Sequence, residues 1–450
     1  VKGLSACIGA AGLGCIVWGG LGSRPASEAD ALTAQAGADE RLIVIGNHRG
    51  YLSPCGCSDP MLGGILRQAS LVRKLQGLGP STVIDSGDMT GLESRQEEMK
   101  AQTLAQVLHS VHVAAINLTP SEIKLGAAEL QNLQDLSGSA LTSASSPFGN
   151  EVAIEPNKVS GSFLIFGLGP LSAQSSSKVD AMIEDSLSEA KNRSLRAILM
   201  LEDTEQAAEQ LARSHPSLDL IVFRSASAPS AVPKRIGNTL LVSPGEHGEY
   251  LLSIGFSKAS PPGYARYTLT PDVPDDPTAK RFYSTYLRRV EDDSSLWNSR
   301  SRIVGKGYAG AVACAKCHQS DYKIWRDRVW TSNGEPSSHS GALKTLIAKG
   351  HGKDPECLPC HVTGADYTTG FHSLKADPQL AFVGCESCHG PGASHSADPW
   401  HVKVTAGRTT HWAQSCEKCH TSLNSANFDF AVYWGRIKHG SVDKQWKSKK

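Results

Sequence analysis

The chain has 450 residues, 45 Lys and Arg against 44 Asp and Glu, and 40% hydrophobic residues. A net charge of +1 argues against a polybasic nucleic-acid binder and against an acidic solvating chain, and the apolar content excludes wholesale disorder. The length allows two or three domains.

At the N-terminus, Lys2 precedes an uncharged stretch from Gly3 to Gly22, followed by Ser23-Arg24-Pro25 and an Ala/Ser-rich segment. This predicts an export signal or membrane anchor over 1–36; Leu4-Ser5-Ala6-Cys7 also has the look of a lipoprotein cleavage box. Short apolar runs follow at Arg41–Ile45, Ser81–Ile84, Val113–Leu118, Ser162–Phe166, Ala197–Leu201 and Leu218–Phe223, separated by amphipathic segments such as Arg95–His109 and Glu202–Ser214. The alternation predicts an α/β domain over 37–272, closed by antiparallel strands at Asn238–Val242, Glu249–Phe256 and Tyr264–Leu269. Pro271 to Pro277 breaks the pattern, and Thr278–Ile303 reads as a charged helix in a linker over 273–307.

Residues 308–450 differ in kind. They hold 17 Lys and Arg against 12 Asp and Glu, no Met, and only 21 Leu, Ile, Val and Phe in 143 positions. Ordinary chains this poor in aliphatic side chains do not fold alone. Four C-x-x-C-H motifs supply the reason: Cys314-Cys317-His318, Cys357-Cys360-His361, Cys385-Cys388-His389 and Cys416-Cys419-His420. Two thiols three positions apart can form thioethers to the two vinyl groups of one porphyrin, and the adjacent His can then ligate its iron. Zinc knuckles or disulfides would also use paired cysteines, but neither needs a His after every pair. Four covalent c-type hemes are expected, and their rings would provide the missing apolar core. The positive charge is interleaved with Cys and His, so it suits heme propionates and no nucleic-acid partner is expected.

All five Met lie outside this region, which disfavours His/Met ligation. Seven further histidines are available for the distal side: His339, His351, His372, His395, His401, His411 and His439.

Around Gly384-Cys-Glu-Ser-Cys-His-Gly-Pro-Gly392 and Glu356-Cys-Leu-Pro-Cys-His-Val-Thr-Gly364 the tail resembles the tetraheme cytochrome c-554 family, over about residues 308–440. The resemblance implies electron transfer, three bis-His hemes and a five-coordinate second heme. By position it implies His395 as distal ligand of the first heme on His318, His339 of the third on His389, and His439 of the fourth on His420. The second, on His361, would keep an open face unless His351 or His372 closes it.

Residues 41–257 resemble the metallophosphoesterase domain of the 5'-nucleotidase family at Gly46-Asn-His-Arg-Gly50, Ile84-Asp-Ser-Gly-Asp88, Ala115-Ile-Asn-Leu118, Asp219-Leu-Ile-Val222 and Leu241-Val-Ser-Pro-Gly-Glu-His-Gly248. That family uses two metal ions held by Asp, Asn and His. Here its ligand positions fall on Asn47-His48-Arg49, Thr119-Pro120-Ser121, Glu202 and Arg224-Ser225-Ala226-Ser227, and Asp88 alone survives clearly. A scaffold without phosphoesterase activity is expected. Cys55-Gly-Cys57 is expected to form an oxidised structural bridge, with a redox pair or a soft-metal site including His48 as the alternatives.

The expected architecture is therefore an α/β metallophosphoesterase-like sandwich followed by a mainly α-helical and loop multiheme cytochrome c domain with little strand. The expected role is that of a periplasmic electron carrier with redox protein partners, anchored at the membrane if 1–36 is retained; a redox enzyme acting on a small nitrogen compound at an open second heme is the alternative.

Overall fold

The computed structural model describes residues 38–54, 61–91, 93–144, 151–258, 261–305, 307–332, 335–404, 412–422, 424–425 and 427–439. The segment 1–36, Cys55, Cys57 and His411 lie outside the described residues, and with them the readings made for them. No helix among the described residues is long and apolar enough to cross a membrane.

The apolar runs become strands because their branched side chains alternate between two buried faces. In β1 (Glu40–Ile45), Leu42 and Val44 point one way while Ile43 and Ile45 point the other, and all four are fully buried. β1 pairs in parallel with β2 (Ser81–Asp85), followed by β3 (Val113–Asn117) and β4 (Leu141–Thr142). β5 (Asn157–Ser160) begins a second sheet through β6 (Phe163–Leu168), β7 (Arg196–Leu201), β8 (Leu220–Phe223), β9 (Lys234–Ile236) and β10 (Thr239–Val242), in the order β5-β6-β7-β8-β10-β9. The chain then returns to the first sheet with β11 (Tyr250–Phe256) and β12 (Gly263–Thr268), giving β12-β11-β1-β2-β3-β4.

The two sheets face each other across Leu42, Val44, Ile84, Phe163, Ile165, Ile198 and Val222. Helices cover both outer faces. α1 (Ile65–Gln76), α2 (Arg95–Ser110) and α3 (Ala127–Leu136) lie on the first sheet, and α4 (Ser176–Asn192) and α5 (Glu205–Ser214) on the second. α2 starts where Ser94 accepts a hydrogen bond from Glu97 N, and α5 where Thr204 accepts from Ala207 N.

The helix expected as a linker is part of this body. α6 (Pro277–Asp292) starts at Asp276, whose carboxylate accepts from Thr278 N and Ala279 N, with Pro277 in its first turn. It buries Ala279, Tyr286 and Val290 in the cluster beneath the first sheet. The described residues of the tail that follows form short helices, three-residue 3-10 turns and one hairpin of Trp330–Ser332 with Glu335–Ser337. Its own apolar cluster is small: Trp297, Leu343, Leu346, Leu358, Val362, Ala365, Phe371 and Leu380.

Candidate functional site

Each C-x-x-C-H motif forms one helical turn, which brings residues i, i+3 and i+4 onto one side. His318 N donates to Cys314 O at 2.9 Å and His420 N to Cys416 O at 2.9 Å; Leu358–His361 and Cys385–His389 are helical outright. All eight motif cysteines are unbridged. Side chains of different motifs meet: Cys314 contacts Cys385, Cys388 lies near Cys416, and Cys360 contacts Cys419. The contacts string the motifs in the spatial order first, third, fourth, second.

Three motif histidines face a histidine from elsewhere in the tail. His318 and His395 have ring centroids 6.5 Å apart, His339 and His420 6.3 Å, and His389 and His439 5.9 Å. Two imidazoles bound to opposite sides of one metal through bonds of about 2 Å have centroids roughly 6 Å apart, so these pairs fit bis-His ligation. The ring orientations agree. The Nδ1–H groups of His361, His395 and His439 donate to Ala342 O at 2.9 Å, Val402 O at 2.6 Å and Ile437 O at 2.8 Å, which leaves Nε2 as the lone-pair nitrogen. The His420 Nδ1 lies 3.1 Å from Ser425 Oγ, and Phe428 stacks on the same ring at 4.7 Å. Burial, together with His420 and His361, lowers the His339 pKa to about 4, so its imidazole is neutral at pH 7.

The rings are set against one another in an order that differs from the positional expectations at two of the three sites. His395 does stand against His318, but His339 faces His420 of the fourth motif, and His439 faces His389 of the third. The cause lies in the packing between the first and second motifs. The hairpin delivers the chain to Ser338, whose hydroxyl caps a 3-10 turn at His339–Gly341, and His339 O is held by Val383 N at 3.1 Å. Trp325 Nε1 donates to Val383 O at 2.8 Å and fixes the other side of that segment. His339 is thereby held beside the fourth motif.

The remaining described histidines of the tail have other partners. His351 Nδ1 meets Asp354 at 2.9 Å and its Nε2 meets the Tyr283 hydroxyl at 3.0 Å; His372 Nδ1 lies 3.2 Å from Asp377, and the exposed His401 pairs with Asp398. His351, Asp354 and Cys357 lie close enough to share a metal ion, but Cys357 is a motif cysteine.

One organising residue was missed from the sequence. Glu386, inside the third motif, is 5% exposed and accepts hydrogen bonds from Ala309 N, Gly310 N and Gly392 N at 2.9, 2.7 and 2.7 Å. It fixes the Gly390-Pro-Gly392 loop that leads into Ala393–Ala397 and His395. An acid between two motif cysteines followed by Gly-Pro-Gly was the available signal.

In the body, the loops after the parallel strands converge at one edge of the sandwich. Asp88 lies between two guanidinium groups, 3.8 Å from Arg49 Nε and 3.4 Å from Arg224 Nη2. Arg49 also pairs with Glu246 at 3.0 Å, and Arg224 with Glu202 at 3.1 Å. Burial pushes the Glu202 carboxyl up to about 7 against the pull of Arg224. Asn47 donates through Nδ2 to Gly245 O at 2.7 Å. Two arginines thus place positive charge on either side of Asp88. Asn47, Arg49 and Asp88 keep left-handed backbone angles, φ 55°, 50° and 58°. Non-glycine residues in that region are uncommon, and such strain clusters at binding loops. His48 is fully buried with Nε2 2.7 Å from Asp85, which commits that nitrogen to a carboxylate. Beside Asp88 and Arg224 opens a cleft of about 330 Å³, also lined by Ser121, Ser172, Glu202 and Thr204.

Residues 313–390 match the family described as "Cytochrome c554 and c-prime". The chain is 26% identical over 153 residues to cytochrome c-554 of Nitrosomonas europaea, a match covering 29% of this chain. It spans 65% of that relative's length. Among solved structures it is similar to a sulfate thiohydrolase of Thermus thermophilus, at 14% identity and a TM-score of 0.48, covering 57% of this chain and 61% of that one. It is also similar to a 5'-nucleotidase precursor of the same organism, at 15% identity and a TM-score of 0.48, covering 69% and 67%. The C-terminal region resembles the cytochrome c-554 family, with the covalent c-type heme that this implies, and the N-terminal region is a two-sheet α/β unit resembling 5'-nucleotidase-type folds.

Proposed function

We propose that this chain is an exported tetraheme electron carrier working outside the cytoplasm between redox protein partners. The observation that carries the reading is the set of three imidazole pairs 5.9–6.5 Å apart, each joining a C-x-x-C-H histidine to one from a distant part of the tail. Bound heme would supply one-electron chemistry at a potential set by axial ligands and surroundings. The eight cysteines would tether it, His318, His361, His389 and His420 would bind its iron proximally, and His395, His439 and His339 would close the first, third and fourth sites. The contacts between motifs support one continuous path. Intact protein should retain the mass of four hemes after denaturation; fewer would sink the reading.

A redox enzyme is the second reading, favoured by the engagement of His351 with Asp354 and Tyr283 and of His372 with Asp377. Those contacts direct the two histidines nearest the second motif in sequence to other partners. Oxidised protein is therefore expected to give one high-spin ferric EPR signal beside three low-spin ones, and nitric oxide should bind the reduced form at one site. Four low-spin signals and no response to nitric oxide would leave a pure carrier.

The body serves in this proposal as a scaffold. With Arg49 and Arg224 paired to Asp88, added Mn²⁺, Zn²⁺ or Co²⁺ should produce no hydrolysis of nucleotides or phosphodiesters. Metal-dependent turnover abolished by Asp88→Ala would overturn that assignment.

A further inference from the structure

The body and the tail are joined by a buried polar junction, and it sits on the second heme-attachment motif. Gln96 on α2 is 3% exposed, and its Nε2 donates to Asp354 Oδ1 at 2.9 Å and to the Tyr286 hydroxyl of α6 at 2.9 Å. One turn further along α2, Lys100 is 9% exposed and donates to Glu356 at 2.6 Å and to Glu97 at 2.7 Å. Asp354 and Glu356 are the last two acids before Cys357. Asp354 also starts the turn that carries this cysteine, since Cys357 N and Leu358 N donate to its carbonyl at 3.1 and 2.9 Å. Its side chain further accepts from Glu356 N at 3.0 Å, and its other oxygen holds His351.

We propose that Gln96 and Lys100 are positioning residues for the second heme, through which the α/β body sets that heme's geometry and electrostatics. This rests on the reading of Cys357-Cys360-His361 as a heme site. α2 is a rigid reference: Met99, Ala101, Leu104, Val107 and Leu108 lie in the core cluster under the first sheet. Gln96, Lys100, Asp354 and Tyr286 are buried while Glu356 keeps its solvent side, and matched donors and acceptors in the buried part hold one arrangement, because a slip there leaves a desolvated polar group unpaired. The turn at Asp354 is thus tied to α2, and Cys357 with it. Lys100 also sets the local charge by offsetting Glu356 beside the motif. Nearby charges and hydrogen bonds are levers on heme potential, so the body gives the second site a setting independent of the other three.

The experiment compares full-length holoprotein with Lys100→Met, Gln96→Leu and Lys100→Arg, after the second heme's signals have been assigned by their loss in a Cys357→Ala, Cys360→Ala variant. Removing the cation should favour oxidised heme at the second site alone, lowering its reduced-to-oxidised ratio at fixed potential roughly tenfold. Gln96→Leu should broaden its EPR signal, and Lys100→Arg should restore the wild-type titration. Four hemes with unchanged potentials, or with equal shifts at all four, would overturn the inference. Fewer than four hemes in the wild type would instead sink the reading beneath it. Should the Met and Leu variants not fold, hydrogen exchange on the wild type decides: the Cys357 and Leu358 amides should be as protected as α2, and exchange as fast as in the exposed turns of the tail would refute the link.

Discussion

With all eight motif cysteines changed to alanine, limited proteolysis is expected to leave a folded body ending between Trp297 and Val312 and to digest everything beyond it. The body carries its own stability. Two sheets enclose one apolar layer, helices close a second and third layer outside them, and α6 seals the first sheet with Tyr286 and Val290. None of that involves a residue beyond the linker. Among the described residues the tail has one apolar cluster, and Trp297 in it comes from the linker rather than from the tail. Only 21 of the 143 residues from 308 onward are Leu, Ile, Val or Phe, too few to cover the conformational entropy of ordering the segment. The porphyrin rings are expected to be the missing core, and thioether bonds to be what retains them during folding. Circular dichroism should show the α/β signal preserved, and mass spectrometry of the surviving fragment should locate its end. A heme-free tail as protease-resistant as the holoprotein's would show that the polypeptide packs without porphyrin, and would remove the compositional argument for four hemes.

How much of this was legible depends on how far apart in sequence the interacting residues lie. β1, β2, β7 and β8 were readable because strands buried on both faces leave continuous apolar runs. β4, β5 and β9 were not, because they are edge strands of two to four residues with sequences such as Asn157–Ser160 and Lys234–Ile236. The heme motifs were readable because their chemistry is complete within five residues. Which further histidine faces which motif depends on the Val383 segment and on the hairpin before Ser338, and no periodicity reports that. The bond from Gln96 to Asp354 spans 258 positions and carries no local signature at either end. Asp88 was singled out from its motif, yet its pairing with Arg49 and Arg224 needed the fold.

Replacing His339 by alanine should convert the fourth heme, and no other, from low spin to high spin. Its ring faces that of His420 at 6.3 Å, and its backbone is fixed independently of its side chain by Val383 N and the Ser338 cap, so the loop should survive truncation. The imidazole is partly buried, and burial together with its histidine neighbours lowers its pKa to about 4, so it is neutral at pH 7. Alanine leaves a space shaped for imidazole, so added imidazole should restore the low-spin spectrum. The assignment to the fourth site follows from double substitutions, since two changes at one iron cannot cost two low-spin signals. His339→Ala with His420→Ala should remove one signal in total, whereas His339→Ala with His389→Ala should remove two. His439→Ala should behave in mirror image, sharing its loss with His389→Ala. The opposite pattern, in which His339 shares its loss with His389, would return the ligand order to the one read from position along the chain and would refute the pairing that the hairpin and the Val383 segment impose.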